Sequence, residues 1–281
     1  MNNTFDWNRF KKLVAMDFRG MWPRFGMSML IITLIPAAIW IFCALLNFIP
    51  NVDIEIPAVA RWIILGTLVF ICVIMAPSGM FKTCNLPKDG IYYAMLPASH
   101  LEKYFSQLLY CVIVCPLMCL VAGVAVDLIL TLLPFGAYHE WLWEPFGKLD
   151  EIDIQLATAA NEGAVEAVQF LKFVASAMVF TLIVSYLFYS AAFMFSNTIF
   201  KSHKVLKTIL AFIVINFVLS FITSPIMFGT MFAGMENIGD TVPEGFFQTY
   251  RTIMIVSNVI STIITVGLFV WTYFRLKRMK Y

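Results

Sequence analysis

Residues 82–107, KTCNLPKDGIYYAMLPASHLEKYFSQ, separate two long apolar runs and decide how the chain is arranged. The runs on either side, 60–80 and 104–126, each approach or exceed the ~20 apolar residues with which a helix crosses a bilayer. Because both neighbours suit the membrane, the stretch itself is predicted to be a loop between two membrane spans.

Local signals inside this loop predict where the next helix begins. Ser99 and Glu102 form the Ser-x-x-Glu pattern of a capping box, in which each side chain binds a backbone N–H at a helix start. Pro97 disfavours helix at the residue before it. A helix is therefore expected to begin near His100, and residues 90–96 form a short amphipathic element outside the membrane.

The composition places the whole chain in the membrane class. Hydrophobic residues make up 61% and charged residues 13%, against roughly 45–50% and 25% in soluble domains. The sequence predicts an all-α integral membrane protein with one transmembrane domain over 1–281 and an N-terminal amphipathic interfacial helix at 1–26. Six transmembrane helices are expected at about 27–49, 60–80, 104–126, 170–195, 209–232 and 253–274. Pro23 is expected to turn the chain from the interfacial helix into the first span.

The distribution of positive charge predicts the orientation. With a cytoplasmic N-terminus, fifteen Lys and Arg residues fall on the inner side and four on the outer side. Since loops rich in Lys and Arg stay in the cytoplasm, both termini are expected there. The acidic segment 136–169 is then exterior.

The loop also resembles a known family. Leu96, Pro97, Ser99, Glu102 and Lys103 follow a second span, and this arrangement is similar to the loop of membrane (permease) subunits of bacterial type-2 ABC transporters. The resemblance implies a coupling helix that docks on a separate cytosolic ATPase. It also implies an exporter in the bacterial inner membrane, built from a homodimer or heterodimer of such subunits.

The resemblance and the loop positions give candidate docking residues. They are Lys88, Asp89, Tyr92, Tyr93, Leu96 and Pro97, with Lys201 and Lys204 between spans four and five as a second contact. One feature departs from the family, whose large exterior element lies between spans five and six. Here 234–250 is short, and the long exterior segment follows span three.

Polar residues within the spans have two interpretations. Candidates for lining a substrate path are Asn258, Ser261, Thr262 and Thr265 in the sixth span and Asn216 in the fifth. Such residues also hydrogen-bond helices to each other, which is at least as good an explanation. Asp127 is either an intramembrane functional carboxylate or a residue that reaches the outer headgroups, and the length of the third span slightly favours the second.

Other functional classes find little support in the sequence. It has no G-x-x-x-x-G-K-[ST] loop and no H-E-x-x-H motif, so an enzyme is disfavoured, any ATPase is another chain, and no cofactor is predicted. Cys111, Cys115 and Cys119 share one helix face, for which helix packing is favoured over metal binding. Nothing predicts a nucleic-acid partner. The alternative function is a membrane scaffold or assembly protein that recruits a cytosolic partner without transport.

Overall fold

A computed structural model describes residues 5–49, 54–81, 91, 93, 95–133, 138, 140–145, 162–200, 202–215, 217, 221 and 244–278. In the helices that begin at 162 and 244, it describes side chains at 173, from 177 and from 251 onward. These residues form helices and no strand. The α-helices are α1 (Trp7–Met21), α2 (Met27–Thr33), α3 (Ile35–Leu46), α4 (Ala58–Met80), α5 (His100–Leu108), α6 (Cys115–Thr131), α7 (Glu162–Ile199), α8 (204–215) and α9 (Glu244–Arg278).

Five helical stretches of the described chain are long and apolar enough to cross a membrane. They are Trp7–Leu46, Ala58–Met80, His100–Thr131, Ala177–Ile199 and Arg251–Arg278. The described residues confirm the all-helical fold class, and their five candidate spans are consistent with the predicted multi-pass membrane protein. The predicted fifth span, 209–232, lies largely outside the described residues, so the count of six stays a prediction.

The first stretch differs from its prediction, because Pro23 does not end a helix. Trp22–Gly26 form a π-helical segment that joins α1 to α2 without interruption. The wider π turn accommodates the missing N–H of proline. At 1.5 Å per residue, the 40 residues from Trp7 to Leu46 extend ~60 Å, about twice the hydrocarbon thickness. A large part of this stretch therefore lies outside the apolar core, although an interfacial orientation of α1 stays a prediction.

The core of the bundle lies between α4 and α6. Cys72 of α4 is fully buried with Cys115 and Cys119 of α6, and the Cys119 thiol lies 3.8 Å from the Leu68 carbonyl oxygen. The packing interpretation of these cysteines is confirmed. The second span also runs as a continuous helix through Pro77 and Gly79 to its end at Met80.

The fourth span is hydrogen-bonded to the third span next to a proline. Pro116 has no N–H, so it leaves the carbonyl of Val112 without its helical partner. The Tyr186 hydroxyl of α7 donates to that carbonyl instead. A second π-helical segment, Leu109–Val114, contains this carbonyl. The position of the proline therefore creates an attachment point for a neighbouring helix.

Two opposite ends of the bundle differ in charge. The basic end comprises α1, the start of α5, the end of α7, α8 and the end of α9. It carries most of the described Lys and Arg residues. The acidic end comprises the start of α4, the end of α6 and residues 138–145, and it includes Glu140 and Glu144.

Candidate partner-docking site

The predicted capping box is present at the start of α5. The Ser99 hydroxyl accepts from the Glu102 N–H at 3.2 Å, and the Glu102 carboxylate accepts from the Ser99 N–H at 2.8 Å. The helix begins at His100, as expected. This part of the sequence prediction is confirmed.

Glu102 has a second role that the sequence does not reveal. Its other carboxylate oxygen accepts from the Asp6 N–H at 2.8 Å and from the Arg9 guanidinium at 3.1 Å. The Glu102 side chain is completely buried. One carboxylate therefore both caps α5 and binds α1 to it, and the 93 residues between Arg9 and Glu102 leave no local pattern for this contact.

The loop element, residues 91–96, is bound to the first two turns of α5. The Lys103 ammonium donates to the Tyr93 carbonyl at 2.7 Å. The Tyr93 hydroxyl donates to the Lys103 carbonyl at 3.4 Å and accepts from the Gln107 amide at 3.2 Å. A charged donor makes the first of these bonds the strongest. The loop element is thereby connected to the third span by side chains as well as by the backbone.

This geometry changes the role expected of Tyr93. Only 9% of Tyr93 is exposed, so its ring is not available as an anchor for a partner. Met95 is 75% exposed and Ile91 41% exposed. Pro97 is exposed and Leu96 is partly buried. The described large apolar side chains that a partner can contact here are therefore Ile91 and Met95, next to the exposed Pro97, whereas Tyr93 is bonded inward.

Three of the candidate docking residues in this loop, Lys88, Asp89 and Tyr92, lie outside the described residues, as does Lys201 of the second contact. Lys204 is buried, and its ammonium donates to the Asn197 side-chain oxygen at 2.7 Å. The Asn197 amide lies 3.4 Å from the Phe81 carbonyl. Lys204 therefore connects α8 to the ends of α7 and α4, and its charge is directed into the protein rather than at a partner.

A cavity at the basic end lies beside this second contact. Its volume is about 480 Å³, and its polar lining comes from Ser28, Ser78, Ser202, His203 and Lys204. His203 has a φ of 48°, in the left-handed region, where the chain turns into α8. The turn that begins α8 thus forms one wall of an opening between the first two spans.

The polar stripe of the last span forms contacts between and within helices. The Asn258 amide donates to the Thr181 hydroxyl of α7 at 2.9 Å. The hydroxyls of Thr262 and Thr265 each donate to the carbonyl four residues earlier, at 2.7 Å, the second of these being that of Ser261. These bonds agree with the helix-contact interpretation, although a cavity of about 290 Å³ lies beside Asn258. Asn216 lies outside the described residues.

A buried ion pair at the acidic end settles the environment of Asp127. Arg61 and Asp127 are each 1% exposed, and the guanidinium donates to the carboxylate at 3.1 Å. Asp127 is therefore buried and paired inside the bundle, and its depth relative to the outer headgroups stays a prediction. Arg61 is the fourth residue of α4 and Asp127 the fifth from the end of α6. In the sequence, this pair is indicated by opposite charges at equal depth on two antiparallel spans.

Arg61 also binds the segment that follows the third span. It donates to the Thr131 hydroxyl at 3.0 Å and to the Glu140 carbonyl, and it lies 4.6 Å from the centre of the Tyr138 ring. Burial raises the pKa of Tyr138 to about 12, so its ring faces the cation as a neutral phenol. The Glu140 carboxylate accepts from the Ala58 N–H at 3.3 Å and so caps α4. The start of α4 thus holds Tyr138 and Glu140 against the bundle.

Comparison with protein families, with characterised proteins and with solved structures finds no match to this chain. Within the described part of the chain, no group of three or more His, Cys, Asp or Glu residues is arranged to hold a metal ion.

Proposed function

We propose that this protein is the membrane subunit of an ATP-binding-cassette transporter that works with a separate cytosolic ATPase. The observation that carries the proposal is the attachment of the loop element to α5. Lys103 and Gln107 bind Tyr93, and the capping box follows directly. A partner that moves this element therefore moves the first turns of the third span with it.

The exposed side chains of the loop element form a contact surface for the partner. Interfaces concentrate their energy in a few central apolar and aromatic residues, and loss of one costs about 2 kcal/mol or more. In the described part of the loop element, Met95 and Ile91 are the large apolar side chains that are exposed. The predicted cytoplasmic orientation of the basic end places them where a soluble ATPase can reach them.

Affinity purification from native membranes tests this proposal. The tagged protein is expected to retain a stoichiometric partner that contains a phosphate-binding loop, and Met95→Ala should reduce its recovery at least tenfold. Met27→Ala is the matched control, because Met27 is 73% exposed at the basic end but lies outside the loop element. Full recovery of the partner by a variant that carries both Met95→Ala and Ile91→Ala would refute docking at this surface.

A scaffold or assembly protein without transport is the second candidate, and the polar stripe favours it. Asn258 is engaged with Thr181, and the hydroxyls of Thr262 and Thr265 are bonded within their own helix. A substrate path instead requires that this face meets water. Thr265→Cys should react with a small charged thiol reagent in a transporter and stay unreactive in a scaffold, with Ile263→Cys, on the 66% exposed outer face of the same helix, as the control.

A further inference from the structure

An apolar groove lies between α1 and the π-helical segment of the third span. Its volume is about 560 Å³. The apolar walls are formed by Trp7, Phe10, Val14, Phe18, Leu109 and Val114. Trp7 and Phe18 are each more than half exposed. The groove therefore offers a continuous apolar surface that the described protein leaves open.

The groove is part of a well-connected joint. The Tyr110 hydroxyl donates to the Val14 carbonyl at 2.6 Å, and the Ser106 hydroxyl donates to the Asp17 carboxylate at 2.6 Å. Asp6 and Arg9 bind Glu102 at the start of the same helix pair. These bonds fix α1 against the third span, so the groove exists before any ligand arrives.

Positive charge lines this apolar groove. Lys11 and Arg19 belong to its lining and are exposed, whereas no acidic residue lines it. The nearby carboxylate of Asp17 is 1% exposed and bonded to Ser106. Lys11 and Arg19 lie eight residues apart, which is ~12 Å along the helix axis. An apolar channel with two cations in its lining suits a ligand with a long hydrocarbon part and a negative head.

We propose that this groove binds one acyl chain of an anionic phospholipid and that Lys11 and Arg19 bind its phosphate region. Leu109 and Val114 lie nine and fourteen residues after the start of α5, or ~14 and ~21 Å along the axis. The groove thus extends from the basic end into the adjoining leaflet. Basic residues next to apolar surface at this depth attract anionic headgroups.

Photolabelling of the purified full-length protein in nanodiscs tests the site. The probe is phosphatidylglycerol with a diazirine on its acyl chain, at a few per cent in phosphatidylcholine, and adducts are mapped by peptide mass spectrometry. Adducts are expected on α1 and on Leu109–Val114. The same diazirine chain on phosphatidylcholine should label these peptides several-fold less.

Matched variants identify the contribution of each side chain. Lys11→Gln and Arg19→Gln should each reduce groove labelling about fivefold, the effect of losing one Lys or Arg near an anionic surface. Lys12→Gln removes the same charge from the neighbouring residue outside the groove and should change labelling less than twofold. Ala15→Trp, which fills the groove from an exposed position, should abolish these adducts while the protein elutes unchanged on size exclusion.

Three results would overturn the site. Equal labelling by the two lipids would mean ordinary lipid contact. An equal loss with Lys12→Gln would mean that general surface charge, rather than the groove, attracts the lipid. Undiminished labelling in Ala15→Trp would place the acyl chain elsewhere.

Discussion

Replacing Asp127 with asparagine should strongly destabilise the protein, because it leaves the Arg61 charge buried. Both side chains are 1% exposed and lie 3.1 Å apart. Removing one partner of a buried pair typically costs about 3–5 kcal/mol. Arg61 keeps the Thr131 hydroxyl, the Glu140 carbonyl and the face of Tyr138. We therefore expect about 3 kcal/mol, the lower part of that range.

A double variant distinguishes the loss of the ion pair from the cost of leaving one charge buried without its partner. Arg61→Met with Asp127→Leu removes both charges and keeps the volume apolar, so it should be more stable than Asp127→Asn alone. The free energy of unfolding is measured by denaturation in mixed micelles. Lys12→Gln, which removes one charge from an exposed side chain, should cost less than about 0.5 kcal/mol. A cost for Asp127→Asn no larger than for Lys12→Gln would refute the buried pair.

Three further substitutions test single contacts. Ser99→Ala should cost about 1 kcal/mol and speed amide exchange in the first turn of α5; unchanged exchange there would contradict the cap. Gly79→Ala drives a Cβ into the Phe25 ring and should lower the free energy of unfolding by about 1–3 kcal/mol. Gly66 lies on the same helix, and a Cβ added there meets nothing within 4 Å, so Gly66→Ala should leave the free energy of unfolding unchanged. Equal effects of the two substitutions would contradict the close approach of Phe25 to Gly79. Tyr186→Phe leaves a buried carbonyl unbonded and should cost about 1–3 kcal/mol; a neutral change would show that the carbonyl has another donor.

The features that the sequence predicts correctly are local ones. Apolar runs of about twenty residues locate the spans because a helix in lipid must cover ~30 Å. The start of α5 is also predicted from local residues, since the side chains of Ser99 and Glu102 each bind the other's backbone N–H within one turn. The packing of Cys115 and Cys119 follows from a spacing of four residues on one helix. In each case the residues that carry the signal are close in sequence.

The features that the sequence does not predict depend on distant partners. The amphipathic pattern of the loop element does not tell which aromatic ring faces inward, and Lys103 and Gln107 decide that for Tyr93. The second role of Glu102 depends on Arg9, far away in the chain.

Pro23 is predicted to end a helix because its ring disrupts α-helical geometry, whereas a π-helical turn accommodates it.

Photocrosslinking from the exposed face of the loop element tests the central claim most directly. A photoreactive phenylalanine analogue replaces Met95 in the native host, and Met27, which is equally exposed, carries it in the control. Position 95 is expected to form one major adduct, with a cytosolic protein that contains a phosphate-binding loop, and position 27 is expected not to form it. Adducts with lipid alone at position 95, or the same protein adduct at both positions, would contradict docking of an ATPase at this element.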